Sequence, residues 1–328
     1  MIVAHVSLTP QDGAVWAAAE AFREAGYDSF CVAPDACDGG PAMPTDYRLP
    51  PSGGAVARLH QAGVVLCHDP WVRQESWFPR GKAAVGWARS PGPAWHCEAD
   101  ADSDDWPWGV GGAAACGDCP GRPPLPELVP LKHRFYHPAS KPAARVKAAY
   151  CYGRTGGSRA GLSDPVYEAT LAALAGLNAD IDVLVGLGLA DRLRRMAAAH
   201  VVVDDCATGG YGRASLEALA VGCVVVNGCD GLRNWNIHRM TGGRGHPFEV
   251  AGLGTLHAAL RRLVERGPAE LTHMGNRNRQ WMEHAWEPSR LIERNFRPLM
   301  DTAIRQALGA DRQCVSRLAG SGLSDIRD

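Results

Sequence analysis

His200-Val-Val-Val-Asp-Asp-Cys-Ala-Thr-Gly-Gly-Tyr-Gly-Arg-Ala-Ser-Leu-Glu-Ala-Leu-Ala-Val-Gly-Cys-Val-Val-Val-Asn227 holds a strand, a glycine turn, a helix and a second strand in one run. Val201 to Val203 is a β-branched stretch of the kind buried on both faces of a parallel sheet. Gly209, Gly210 and Gly212 let the backbone turn sharply and approach a ligand. A helix predicted to start near Tyr211 turns its free N–H groups toward that turn, a setting suited to an anion such as a diphosphate. Glu217, about two turns in on this reading, carries a carboxylate able to accept two hydrogen bonds from a vicinal diol such as a ribose. Gly222 ends the helix, and Cys223 to Val226 forms the next strand.

Outward from this run, apolar stretches alternate with helical patterns. In the first part of the chain, Ile2–Leu8, Phe30–Ala33, Gly63–His68 and Ala83–Ala88 read as strands. Ala14–Ala25 and Val56–Gln61 read as helices. Residues 96–128 break the rhythm with acidic, Trp-Pro and Cys-Pro-Gly stretches, and an irregular insertion is expected there. A second series restarts near Arg145: strands Val146–Tyr152 and Ile181–Val185, helices Pro165–Gly176, Leu189–Ala199 and Leu253–Arg266. Asn276 to Leu308 is helical, with a break at Pro288. Alternating strands and helices give an α/β protein with parallel sheets. The expected units are 1–140, 141–290 and a returning C-terminal segment with a loose tail, 291–328.

This pattern resembles retaining glycosyltransferases of the GT-B fold, in particular the large family 4. The likeness is sharpest over about residues 147–228. The family reads Glu-Gly-aromatic-Gly, four residues, then Glu-Ala-Met-Ala-x-Gly. Here Gly209-Gly210-Tyr211-Gly212 and Glu217-Ala-Leu-Ala-Val-Gly222 align, with Gly209 in place of the first glutamate. The resemblance implies two Rossmann-like domains facing a cleft, C-terminal helices crossing back, and an acceptor held by the first domain. It implies a nucleotide-sugar as co-substrate with Gly210, Tyr211, Gly212 and Glu217 at the donor. It also implies transfer with retention and no obligatory metal or other cofactor. In the loop Tyr152-Gly-Arg-Thr-Gly-Gly-Ser-Arg159, Arg154 matches the family arginine, and Arg159 stands where the family has lysine. Two cations there would neutralise the departing diphosphate. The loop lacks the Gly-Lys-Ser/Thr ending of a nucleoside-triphosphate loop.

Other candidates come from position. The resemblance implies a glycine turn after the first strand that faces the cleft, where Gly13 can present backbone N–H groups to an acceptor or a phosphate; an ordinary turn with Asp12 as helix cap is an equal reading. His68 ends a strand, where open α/β sheets put their ligands, and is the candidate catalytic group; a structural role for it is an equal reading. His96 and His133 are weaker candidates. Of Asp204 and Asp205, one reads as capping the turn and one as facing the site, with a structural role the more expected for both; the resemblance implies that the loop Asn227-Gly-Cys-Asp-Gly231 lies beside the sugar and diphosphate. Cys116-x-x-Cys119 has half of a zinc spacing, but its partners His96-Cys97 are adjacent; the expectation is no metal, with zinc the alternative for this loop. Trp106 and Trp108 read as core residues rather than sugar platforms.

Composition narrows the classes. A chain of 328 residues has length for two domains. The 34 basic residues nearly cancel 35 acidic ones, so no basic field points to nucleic acid. No apolar run is long enough for a membrane span, and Met1-Ile-Val-Ala-His-Val reads as a first strand rather than a leader. Several of the eleven cysteines lie in strands, where they act as small hydrophobes, and a reducing cytoplasm is expected. The acceptor is expected to be a glycan, a lipid-linked or a small molecule, with peripheral membrane contact allowed for. The rival readings are a non-catalytic homologue that binds a partner, a GT-B epimerase or phosphorylase, and a zinc-dependent interaction module.

Overall fold

The computed structural model describes residues 1–8, 13–34, 45–49, 51–68, 72, 75–79, 82–88, 108–111, 124–152 and 165–308, without the side chains of 87, 88 and 108–111. The first sheet contains β1 (Ile2–Val6), β2 (Asp28–Ala33), β3 (Tyr47–Arg48), β4 (Val64–Cys67), β5 (Ala84–Ala88), β6 (Trp108–Gly111) and β7 (Pro124–Leu125). Its order is β3-β2-β1-β4-β5-β6-β7, with every pair parallel. Two of these strands, β6 and β7, fall where an irregular insertion was expected. Each is short, and neither carries a β-branched run, so periodicity does not reveal them.

The second sheet has the order β12-β11-β10-β8-β9, again parallel throughout. Its strands are β8 (Lys147–Cys151), β9 (Asp180–Leu184), β10 (Val201–Val203), β11 (Val224–Asn227) and β12 (Glu249–Val250). Strand alternation sends Val201, Val203, Val224 and Val226 to one face and Ala149, Val202 and Val225 to the other, and both faces are buried. This is why the valine runs lack a polar side.

Among the described residues the first half holds α1 (Ala14–Glu24) and α2 (Gly53–Gln61). The second half contributes α3 (Pro165–Leu174), α4 (Leu189–Ala197), α5 (Arg213–Ala220), α6 (Gly231–Thr241), α7 (Leu253–Glu265), α8 (Gly267–Ala285) and α9 (Pro288–Leu291). Helix α5 begins at Arg213 rather than near Tyr211, because Gly212 keeps an extended backbone as its cap. Its following strand starts at Val224 instead of Cys223. Helix α6 was not foreseen; Asn227 to Gly231 reads as a loop, but Asp230 caps a helix by accepting from the Arg233 N–H at 2.9 Å. The break at Pro288 is present, with the proline as the first residue of α9 and Glu287 as its cap.

The C-terminal helices return to the first sheet. A π-helical turn, Ile292–Phe296, follows α9 and sets Phe296 edge-on against Phe22 of α1 at 5.6 Å between ring centres. Trp286 is wholly buried and donates its indole N–H to the Glu127 carbonyl at 2.8 Å. Arg279 donates to the carbonyls of Leu131, Tyr136 and Ala220, joining α8 to the connecting segment and to the end of α5. Gly275 of α8 lies so close to Gly222 that a Cβ would run into its carbonyl oxygen. Gly222 itself has φ +79, which a side chain would strain. Among the described residues no helix is long and apolar enough to cross a membrane.

Gly275→Ala is therefore expected to destabilise the fold by about 1–3 kcal/mol or more through overpacking. Gly254→Ala, in a helix with open space around it, should be neutral or stabilising by up to about 1 kcal/mol. Equal urea midpoints for the two variants would refute the close contact.

A second consequence concerns Glu24, which accepts the N–H groups of Lys132 and His133 at 2.8 and 3.0 Å and so fastens the connecting segment to α1. Burial pushes its carboxyl up to about 7, against the pull of those two N–H groups. A raised folded value means the folded chain binds the proton more tightly. The contribution of Glu24 to stability is then fully present below about 4.5 and is lost as pH rises to about 7. Glu24→Gln keeps an acceptor without the charge, and the dependence of the urea midpoint on pH should flatten across that window.

Candidate functional site

In the second sheet the chain reverses its direction of travel between neighbouring strands β8 and β10. Crevices outside the carboxyl ends of such strands are where open α/β sheets receive ligands. The turn after β10 runs through Asp204 to Gly212, and β8 is followed by Tyr152, with Arg154 and Arg159 next in sequence. Those two arginines lie outside the described residues. In the first sheet the corresponding reversal lies between β1 and β4, which lead to Gly13 and to His68.

The glycine turn is held from within. Asp204, 8 % exposed, accepts from the N–H of Gly212 at 2.9 Å, the N–H of Ser215 at 3.1 Å and the Ser215 hydroxyl at 2.7 Å. Its carboxylate thus occupies the start of α5, where the sequence suggested a ligand anion. Burial pushes the Asp204 carboxyl up, and the Ser215 hydroxyl and Gly212 N–H pull the other way. Gly212 must lack a side chain, because a Cβ would come within 2.8 Å of this carboxylate. Asn227 completes the chain by donating to the Ser215 hydroxyl at 2.9 Å. Asp205 accepts from the N–H groups of Ala207 and Thr208 at 2.8 and 3.0 Å, a turn-capping role as expected. Gly209 sits at φ +75, with its carbonyl accepting from the Asp230 N–H at 2.9 Å.

Glu217 is fully buried at the fifth position of α5, a little over one turn in. Arg192 of α4 donates to it through Nε at 3.2 Å and Nη2 at 3.0 Å, and Arg213 through Nε at 2.6 Å. Burial alone would raise this carboxyl; the two guanidiniums outweigh burial and hold it below its ordinary value. Arg213 also donates to the Tyr136 hydroxyl at 3.2 Å, in the 3₁₀ turn Arg134–Tyr136 of the connecting segment. The carboxylate read from sequence as a diol acceptor is therefore engaged by two arginines. Neither arginine was singled out in the sequence. Arg213 was detectable, since it stands four residues before Glu217 on the helix; Arg192 comes from another helix and gave no local signal.

The other candidates fall as follows. Gly210 is buried, and Tyr211 is 2 % exposed with its ring 5.7 Å from that of Phe248. Burial pushes its phenol well above the usual range. Gly13 is itself the cap of α1, in the left-handed region at φ 75. His68 is 1 % exposed, with Nε2 3.2 Å from Nδ1 of His5, itself wholly buried. His133 caps the Arg134–Tyr136 turn and packs edge-on against Trp16. The described cysteines 31, 67, 151, 206, 223 and 229 are all buried. Burial pushes Cys31, Cys206 and Cys229 up to about 12, which suits hydrophobic packing rather than nucleophilic chemistry. No metal-ligating cluster occurs among the described residues; His96, Cys97, Cys116, Cys119 and Trp106 lie outside them.

No protein-family model and no curated protein matches the chain. Solved structures do match it. AviGT4, a glycosyltransferase involved in avilamycin A biosynthesis, is 15% identical and aligns over 93% of this chain and 98% of its own, with a TM-score of 0.50. A glycosyltransferase from Rickettsia africae ESF-5 is 9% identical over 92% and 98%, with a TM-score of 0.53. At these identities the likeness shows the fold, which is GT-B: two parallel-sheet α/β domains spanning nearly the whole of both chains.

Because Glu217 is buried against two guanidiniums, Glu217→Gln should cost about 3–5 kcal/mol of folding stability. Glu283→Gln, which removes an exposed partner of Arg279, should change it by no more than about 1 kcal/mol. Similar denaturant midpoints for the two variants would contradict the buried pairing.

Proposed function

We propose that the protein is a glycosyltransferase that moves a sugar from a nucleotide-sugar to an acceptor hydroxyl. The observation that carries this reading is the GT-B architecture, with the glycine turn following β10 at the reversal of the second sheet beside β8. In this reading Arg154 and Arg159 neutralise the diphosphate as it leaves, while Gly210, Tyr211 and Gly212 shape the turn beneath it. Retention at the anomeric carbon and independence from metal belong to the proposal, as does action in the cytoplasm on a glycan, lipid-linked or small-molecule acceptor. Glu217 meets a ribose only if Arg192 or Arg213 releases one of its oxygens. Its role in the resting protein is to hold those arginines.

A second reading is a GT-B protein that binds without catalysing. It is favoured by Gly209, which stands where the resembling family has a glutamate. A longer side chain there meets both the left-handed backbone and Asp230, 3.0 Å from the Cβ position.

The test is a thermal-shift panel of UDP, GDP, ADP and TDP, each without metal, on the wild type, Arg154→Ala and Arg159→Ala. A ligand bound only by the folded chain at 100 times its Kd adds about 2.7 kcal/mol of stability. Loss of one arginine contact to the diphosphate should weaken binding about tenfold or more. A shift with one nucleotide, reduced in both variants and followed by nucleotide release with an acceptor, supports transfer. Binding without release under an acceptor screen supports the second reading, and no shift with any nucleotide in folded protein overturns both.

A further inference from the structure

A surface cavity of about 210 Å³ lies at the far end of α6 from the glycine turn, where the helix ends at Gly242 and the C-terminal segment crosses back. Eleven residues at about 1.5 Å each separate the two ends of α6, so the cavity stands roughly 16 Å from the turn. Arg244, Arg290, Arg294 and His284 line it above buried Leu291, and no carboxylate lines it among the described residues. The nearby acids are used elsewhere. Glu283 pairs with Arg279, Glu293 accepts from Tyr27, and Glu287 caps the N–H of Arg290.

Two helices, α6 and α8, end at this cavity, and each terminus carries about half a negative charge. Arg290 answers one of them by donating to the His284 carbonyl at 3.0 Å. Three guanidiniums against two half charges still leave a surplus of positive charge. The Arg294 guanidinium lies so close to Gly242, at φ +76, that a Cβ there would collide with it, and the glycine gives it its place. Planar guanidiniums converging without carboxylates suit the oxygens of a phosphate.

We propose that this cavity binds a phosphate-class anion, a phosphate ester or a diphosphate, at a site separate from the glycine turn. The phosphate can belong to a free molecule or to a lipid headgroup, and the two sources are separable. Calorimetric titration with inorganic pyrophosphate reads the first. Flotation with phosphatidylcholine vesicles, with and without phosphatidylglycerol, reads the second. Both are performed on the full chain, on Arg244→Gln/Arg290→Gln, and on an exposed-arginine control, Arg261→Gln/Arg262→Gln. The cavity substitutions are at exposed positions, and circular dichroism checks that the variant is folded. Salt-sensitive binding of pyrophosphate, of acidic vesicles or of both should weaken about tenfold or more in the cavity variant and stay unchanged in the control. Pyrophosphate alone identifies a soluble ligand; acidic vesicles alone identify a headgroup. Absence of both, or equal binding by the cavity variant, overturns the proposal.

Discussion

The carboxylate of Glu217, buried between Arg192 and Arg213, is the interaction on which the second half of the molecule turns. Removing one carboxylate and two guanidiniums from water costs several kcal/mol per ion, and only close multiple hydrogen bonds offset that. Such a cluster tolerates little displacement, so it fixes α4 against α5 to within hydrogen-bond tolerance. Through the Tyr136 hydroxyl it also fixes both helices against the connecting segment. Tyr136 is itself wholly buried, and burial pushes its phenol up, which keeps it a neutral hydrogen-bonding group.

The same segment is gripped from three other directions. Glu24 holds the N–H groups of Lys132 and His133, Arg279 reaches the carbonyls of Leu131 and Tyr136, and Trp286 reaches the carbonyl of Glu127. A strand-free connector has many backbone groups to satisfy. Here side chains from α1, from α8 and from Trp286 just beyond it satisfy several of them, and in doing so bind the first sheet to the second. One continuous apolar cluster runs from Val3 and Phe22 through Tyr136 to Ala149, Val202 and Phe296. The relative position of the sheets is thus set by packing as well as by polar contacts.

The glycine turn shows how this rigidity meets function. Its peptide groups are arranged by Asp204, Asn227 and Ser215, all buried. The carboxylate at the start of α5 already complements the helix dipole. In the proposed transferase an incoming diphosphate therefore has to find its positive charge elsewhere, which places the weight on side-chain cations. The proposed transferase depends on Arg154 and Arg159 more than on the helix terminus for that reason.

The sequence by itself determined the alternation of strands and helices, the parallel class of both sheets, the break at Pro288 and the glycine turn before α5. These are local features: β-branched runs, glycines able to take positive φ, and a proline that cannot continue a helix, each legible within a few residues. It did not determine β6, β7 or α6, whose short or weakly patterned segments form because neighbouring strands and an Asp230 cap complete them. Nor did it determine the partners of Glu217. A carboxylate one turn into a helix reads alike whether it faces a ribose or an arginine, and Arg192 arrives from 25 residues away in sequence. The tertiary structure decided that question, because which charge lies within hydrogen-bond reach of a buried carboxylate is a matter of packing between helices and not of spacing along one.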